Sequence, residues 1–270
     1  MELSIVIISY NTKELLEACL SRLSEARLSM KHEIYVVDNN SSDGSADLVT
    51  NYFPHIQLIV NSSNVGFAGA VNIAFSKSTG KFVLVLNPDV EVSTNSVEIL
   101  LSSFKIRPNA GLIAPKLLNH DGSLQYSCRA DYTLGTFLFR RTFLRRLFPE
   151  HLIIRRHLMM DWDHATSRQV DWVLGAAFML RRKACPDKCV MDDNFFLYFE
   201  DVDLCLRLRK SGWQVIYDPG AVMIHRHQRA SARSVWNRAM FEHSRSWIKF
   251  SWKYRYELLS KTFKPFIASR

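Results

Sequence analysis

No apolar run in the 270-residue chain reaches the roughly 18 residues that a membrane-spanning helix needs. The first apolar stretch, Leu3 to Ile8, is short, follows Glu2 and ends in Ser9-Tyr10-Asn11, which is not the pattern of a secretory signal. Cysteine is sparse. Cys19, Cys128, Cys185, Cys189 and Cys205 are scattered and odd in number, which fits a reduced cytoplasmic protein and excludes a disulfide framework. Cys185-Pro-Asp-Lys-Cys189 departs from Cys-x-x-Cys spacing, and no second pair completes a zinc site. Internal repeats and low-complexity segments are absent, so solenoid and fibrous architectures are excluded. An even spread of positive charge is missing too. The net charge is +9, yet from Arg226 onward there are eleven Lys and Arg against two Glu, and the two signs balance before that point.

What is present suits one folded α/β unit. Hydrophobic residues make up 47% of the chain and charged residues 23%, enough for a substantial core with an ordinary globular surface. Leu3 to Ser9 has the apolar continuity of a buried strand, and Thr12 to Leu28 places Leu15, Leu16, Cys19, Leu20 and Leu23 at helical spacing. Glu33 to Asp38, Ile56 to Val60 and Phe82 to Leu86 are further strands, separated by helices near Ser45 to Tyr52 and Phe67 to Lys77. That alternation predicts a mostly parallel central sheet, Rossmann-like, with helices on both faces. Val170 to Leu180 is a strand-like run with a Gly-Ala-Ala break. Asp201 to Ser211 is a helix stopped by Gly212, with Arg207, Arg209 and Lys210 facing outward, and Trp213 to Tyr217 is another strand. Leu117 to Arg168 alternates basic and bulky apolar residues without a clear period.

Three polar groups follow strand ends: Tyr10-Asn11, Asp38-Asn39 and Asn87-Pro88-Asp89. Open α/β sheets bind ligands at that edge, although each group would also serve as a turn or a helix cap. Asp38 suits nucleotide recognition and Asp89 a divalent cation, Mg²⁺ or Mn²⁺. Glu200-Asp201-Val202-Asp203 puts three acids at a helix start. Any one could act as a general base, and all would complement the helix dipole. His225 is either a metal ligand or a surface histidine.

The chain resembles the family 2 inverting glycosyltransferases of GT-A fold. The resemblance rests on Ser4 to Asn11, Val36 to Ser45, Asn64 to Asn72, Leu86 to Asp89, Trp172 to Phe178 and Phe196 to Leu204, which follow the family's order across residues 3–228. It is nearest to bacterial rhamnosyltransferase-like enzymes of O-antigen and cell-wall polysaccharide assembly. It implies that Asp38 contacts a uracil or thymine ring, and that Ser9, Tyr10, Asn11, Asn40, Asn64, Gly66, Asn72 and Asn87 line the nucleotide site. Asp89 would be the metal-binding acid and His225 a further metal ligand. Asp201 would be the base, with Glu200 beside it, and Trp172, Gly175, Ala176 and Glu200 would border the acceptor. Asn87 stands where the family's Asp-x-Asp motif has its first acid, which leaves the site with less charge.

The implied organisation is a transferase domain over residues 1–228, with a nucleotide half over 1–116 and an acceptor half over 117–228, followed by a basic, aromatic helical extension over 229–270. The implied reaction moves a sugar from a dTDP- or UDP-sugar, dTDP-rhamnose first, to a hydroxyl of a glycan or lipid-linked acceptor. The extension interleaves Trp236, Phe241, Trp247, Phe250, Trp252, Tyr254 and Tyr256 with Lys and Arg. Such a segment suits the anionic inner face of the cytoplasmic membrane, or else a helix packed on the catalytic domain or on a second subunit of a homodimer. A nucleic-acid binder is the competing class for a basic aromatic tail, and the neutral body with its clustered acids argues against it. A nucleotidyltransferase or a non-catalytic nucleotide-sugar binder is the other alternative.

Overall fold

The computed structural model describes residues 1–141, 151–186, 190–226 and 232–263. Cys189, and much of the basic-apolar segment from Phe137 to Phe148, lie outside them.

Strand β1 (Leu3–Ser9) is buried along its whole length. It pairs in parallel with β2 (His32–Asp38) on one side and β4 (Phe82–Leu86) on the other, and β3 (Gln57–Val60) extends the sheet beyond β2. Helices α1 (Lys13–Glu25), α2 (Ser45–Tyr52) and α3 (Gly66–Lys77) link these strands. Alternate residues of β1 feed two different cores: Leu3, Ile5 and Ile7 pack with Leu16, Leu20 and Leu23 of α1, whereas Val6 and Ile8 pack with Ala70, Val71 and Phe75 of α3. Burial on both faces explains the unbroken apolar character of the strand.

Beyond β4 lie β5 (Val90–Val92), α4 (Ser96–Ile106), β6 (Ala110–Leu118), β7 (Leu124–Gln125) and β8 (Cys128–Arg129), then α5 (Leu134–Arg141) and α6 (Leu152–His157). Next are β9 (Arg168–Gln169), β10 (Trp172–Val173), β11 (Ala177–Arg181), α7 (Glu200–Lys210), β12 (Gln214–His225), α8 (Ala232–Lys253) and α9 (Arg255–Phe263). The main sheet runs β3-β2-β1-β4-β11-β6-β12-β5, with β7 on β6 and β9 on β12. It is parallel from β3 to β4, and β11 enters antiparallel between β4 and β6.

Two strands differ from the sequence expectation. Val170 to Leu180 is two strands: β10 pairs with β8 in a small separate sheet, and β11 joins the main one. The Gly175-Ala176 turn between them carries the chain from one sheet to the other. Strand β12 continues from Gln214 to His225, well past the Tyr217 at which the sequence reading ended it. A bulge between Asp218 and Val222 absorbs Pro219-Gly220-Ala221 and keeps the strand parallel to β6. That continuation carries His225 to the level of Val90, one residue beyond Asp89.

The C-terminal helices pack on the domain. Trp247, Phe250, Tyr254 and Leu258 are buried in the same cluster as Phe199, Val202 and Leu206. Each such side chain contributes about 1.5–3 kcal/mol on removal from water. Packing on the core of the sheet domain is therefore what the inner face of this extension does.

Candidate active site

Ser9 and Asp38 end adjacent parallel strands in register. Asn11, at φ 53°, turns the chain away and accepts a 2.8 Å hydrogen bond from the Ser42 N–H. Tyr10 is 45% exposed, and Asn40, at φ 66°, is exposed as well. Asp38 is buried. Its Oδ2 accepts from the Ser41 N–H at 2.9 Å, and its Oδ1 has no hydrogen-bond partner among the described residues. A buried carboxylate oxygen without a donor costs free energy unless a ligand supplies one.

The neighbouring asparagines are partly committed to scaffolding. Asn39, itself buried, donates to the Gly66 carbonyl at 3.1 Å, and the Asn64 side chain accepts from the Gly66 N–H at 2.9 Å. Gly66 sits at φ 79°, where a Cβ would stand 2.4 Å from the Phe196 carbonyl oxygen, so only glycine fits. Asn72 uses both ends of its amide on the backbone of Met191, at 2.8 and 2.9 Å. In this structure it ties α3 to the segment leading to α7.

Asn87, Pro88 and Asp89 leave β4 facing the end of β12. Nε2 of the buried His225 lies 3.2 Å from Oδ1 of Asp89, while Nδ1 contacts Oε1 of Gln125 at 2.8 Å. A proton on Nδ1 serves Gln125 and leaves the Nε2 lone pair facing a carboxylate oxygen. Two lone pairs at that separation call for a cation or a proton between them. Ligands about 2.1 Å from a common ion and roughly at right angles stand about 3 Å apart, so the pair fits a Mg²⁺- or Mn²⁺-sized ion. Gln125 fixes the imidazole as an outer partner does in metal sites. Among the described residues there is no cluster of three or more His, Cys, Asp or Glu.

The acids at the start of α7 divide into different roles. Tyr198 and Phe199 precede them at φ 68° and 71°, a left-handed conformation that costs bulky residues about 1–2 kcal/mol each. Packing of Phe199 against Tyr132, Trp247 and Phe250 holds it there. Asp201 is partly open to solvent. Its Oδ2 accepts from the Gly175 N–H at 2.9 Å and its Oδ1 from the Val202 N–H at 2.8 Å. The next carbonyl in the same turn, that of Ala176, accepts from the Asn87 N–H at 2.8 Å. Two consecutive residues therefore connect the carboxylate to the Asn-Pro-Asp turn. Asp203 is fully buried and accepts from Arg207 (2.7 Å), Lys253 (2.6 Å) and Tyr254 (2.7 Å). It anchors the C-terminal helices and drops out as a base candidate. Arg207 and Arg209, expected to face outward, form ion pairs instead, Arg207 with Asp203 and Arg209 with Asp131 and Asp171.

Burial raises Asp201 above the ordinary carboxylate range, against the pull of the Gly175 and Val202 N–H groups and of Arg129. Glu200 is 5% exposed, its Oε2 lacks a hydrogen-bond partner among the described residues, and it is pushed much further up, by burial first and by the charge of Asp201 second. Of the two, Glu200 is held further toward its neutral form, because it is enclosed and lacks the two N–H donors that favour the charged form of Asp201.

A stability prediction follows. Glu200 binds its proton more tightly in the folded chain, so its contribution is complete below its ordinary 4.5 and is lost as pH rises through the folded value. Glu200→Gln should match the wild type in acid and melt higher at neutral and alkaline pH. Parallel Tm profiles for the two proteins would show that Glu200 is ionised without penalty.

Sequence reasoning missed Arg129 and Tyr132, which lie in the stretch without a clear period. The β8–β10 ladder sets Arg129 opposite Trp172, 5.6 Å from its ring centre, and its charge acts on Asp201. Tyr132 stacks on Trp172 at 5.6 Å and also touches His157 and Phe199. Only the ladder reveals the site role of Arg129, because nothing in its local sequence marks it.

A mostly parallel sheet with polar strand ends and one antiparallel strand inserted at its centre gives the chain the GT-A fold of glycosyltransferases. The chain belongs to glycosyl transferase family 2, whose family model matches residues 4–160. It is 27% identical over 266 residues to the N-acetylglucosaminyl-diphospho-decaprenol L-rhamnosyltransferase of Mycobacterium tuberculosis, covering 91% of this chain and 83% of that one. It is 27% identical over 213 residues to the low-salt glycan biosynthesis hexosyltransferase Agl10 of Haloferax volcanii, covering 77% and 62%. Among solved structures, the mannosyltransferase PcManGT of Pyrobaculum calidifontis, in complex with GDP-Man and Mn²⁺, superposes with a TM-score of 0.57 at 17% identity. That match covers 85% of this chain and 58% of that one. S. aureus TarS 1-349 in complex with UDP gives 0.57 at 14% identity, covering 83% and 60%. The chain thus spans less than two thirds of the length of these two structures.

Proposed function

We propose that the chain transfers a sugar, with inversion, from a nucleotide diphosphate sugar to a hydroxyl of a lipid-linked glycan acceptor in bacterial surface polysaccharide synthesis. dTDP-rhamnose is the first choice of donor and a UDP-sugar the second. The observation that carries the reading is the single turn, Gly175-Ala176, that holds Asp201 with one residue and Asn87 with the next. It joins a candidate base to the end of β4 that carries Asp89, which faces His225 at the end of β12. The named activity of the mycobacterial relative supports the sugar and the acceptor class.

The chemistry then runs through the chain's own groups. The unpartnered Oδ1 of Asp38 accepts the imide N–H of a uracil or thymine ring. Asp89 and His225 would hold a divalent cation, which supplies charge to the leaving diphosphate. Asp201, oriented by two backbone N–H groups, takes the proton of the acceptor hydroxyl as that oxygen attacks the anomeric carbon. Trp172, expected to border the acceptor, is 3% exposed, with Tyr132 stacked on its ring and Arg129 beside it, so it supports the wall behind Asp201 rather than offering a face to the acceptor. No helix among the described residues is long and apolar enough to cross a membrane.

Calorimetric titration of dTDP, UDP, GDP and CMP, with and without Mn²⁺, tests this. The reading expects dTDP or UDP to bind at least tenfold more tightly with the ion, and Asp89→Ala to remove that gain. Folded protein that binds none of the four would end the transferase reading.

A further inference from the structure

The C-terminal helices present two unlike faces. Trp247, Phe250 and Tyr254 face the domain and are buried. On the opposite side of α8, Phe241, Ile248 and Trp252 are 65%, 68% and 75% exposed. At 3.6 residues per turn these three fall within about 40° of one another, and Arg245 lies on the same stripe. The stripe continues into α9 with Tyr256, 71% exposed, and Leu259. Arg255 sits between two of its rings, 5.2 Å from the centre of Trp252 and 4.7 Å from that of Tyr256. Large apolar side chains lined up along a surface helix are unusual, because water disfavours them and nothing in the fold needs them there.

We propose that this outward face docks the enzyme on an anionic lipid bilayer. The proposal rests on the lipid-linked acceptor reading and adds the surface that would bring the site to it. The stripe has the composition of an interfacial helix: indole and phenol rings at headgroup depth, aliphatic side chains below and guanidinium groups among phosphates. The stripe's own charge has the matching sign, since Arg245 and Arg255 lie on it. A second copy of the chain fits less well, because isologous pairing of this face would bring like charges together. The inner face gives the docked orientation its consequence. Ser246 donates to the Leu197 carbonyl at 2.9 Å and Lys249 to that of Asn194, while Lys253 and Tyr254 hold Asp203, two residues beyond Asp201. The docking face and the base thus belong to one packed unit.

The test is sedimentation with vesicles of phosphatidylglycerol and phosphatidylcholine, against phosphatidylcholine alone. The proposal expects at least tenfold tighter binding to the anionic vesicles, with each stripe arginine contributing about fivefold. The triple variant Phe241→Ser, Ile248→Ser and Trp252→Ser should lose at least tenfold of that binding. Its Tm and its binding of dTDP or UDP should not change, since the three side chains are exposed and lie outside the nucleotide site. Arg245→Glu with Arg255→Glu should weaken vesicle binding and leave the apolar stripe intact. Equal binding to neutral and anionic vesicles, or unchanged binding by the triple variant, would overturn the proposal. So would a wild-type dimer that ignores vesicles and dissociates in the triple variant. Vesicle binding without any nucleotide binding would sink the transferase reading and leave the docking face standing.

Discussion

Asp201→Asn should lower turnover by about a thousandfold and leave donor affinity within about twofold, because general-base catalysis contributes roughly 10²–10⁴. The substitution nearly preserves size. An asparagine oriented with its oxygen toward the Gly175 N–H keeps that hydrogen bond, so the turn carrying Ala176 and Asn87 stays in place. What disappears is the ability to take a proton, together with the acceptor for the Val202 N–H. The wild type should also show an acid limb set by Asp201. Because burial raises that carboxylate, activity should rise with pH through a value above the usual aspartate range, and the limb should be absent from the residual activity of the variant. Single-turnover rates across pH, beside calorimetric donor binding, separate the two effects. Full turnover in the variant would remove Asp201 from the mechanism. A parallel loss of donor binding would reassign it to holding the site together.

Asp203→Ala should destabilise the fold by about 3 kcal/mol, measured by urea unfolding. Asp203 is completely enclosed and is the shared acceptor of Arg207, Lys253 and Tyr254. Breaking a buried charge pair by removing one partner costs about 3–5 kcal/mol, and the lower end applies here because Arg207 and Lys253 keep about a third of their side-chain surface in water. Tyr254→Phe removes a single hydrogen bond and should cost about 1 kcal/mol. Limited proteolysis should cut near α8 sooner in Asp203→Ala than in the wild type. A loss under about 1 kcal/mol would mean that the helices are held by Trp247, Phe250 and Leu258 alone.

The nucleotide half was legible because its signals are local. Buried parallel strands must be apolar throughout, helices repeat at 3.6 residues, and the polar residues after β1, β2 and β4 stand where such sheets leave their edge open. Less was legible after residue 90. Helix α4 and strand β6 were not read from the sequence, and β10 and β11 were merged. A short apolar run carries no mark of which sheet it will join.

The sequence by itself determined the class of sheet, the edge on which its polar residues gather and the presence of three acids at one helix start. Each follows from a repeat or a neighbour a few residues away. Which acid does what was decided by tertiary packing. Asp203 faces inward onto Lys253 and Tyr254, Glu200 is enclosed, and Asp201 meets an N–H from a turn in another part of the chain. The contact of Asp89 with His225 needed a bulge to set the register of β12, and the two faces of α8 were distinguished only when the domain covered one of them. A side chain's charge and reach are written in its type. Its protonation and its partner depend on the water that distant segments remove and the groups they supply.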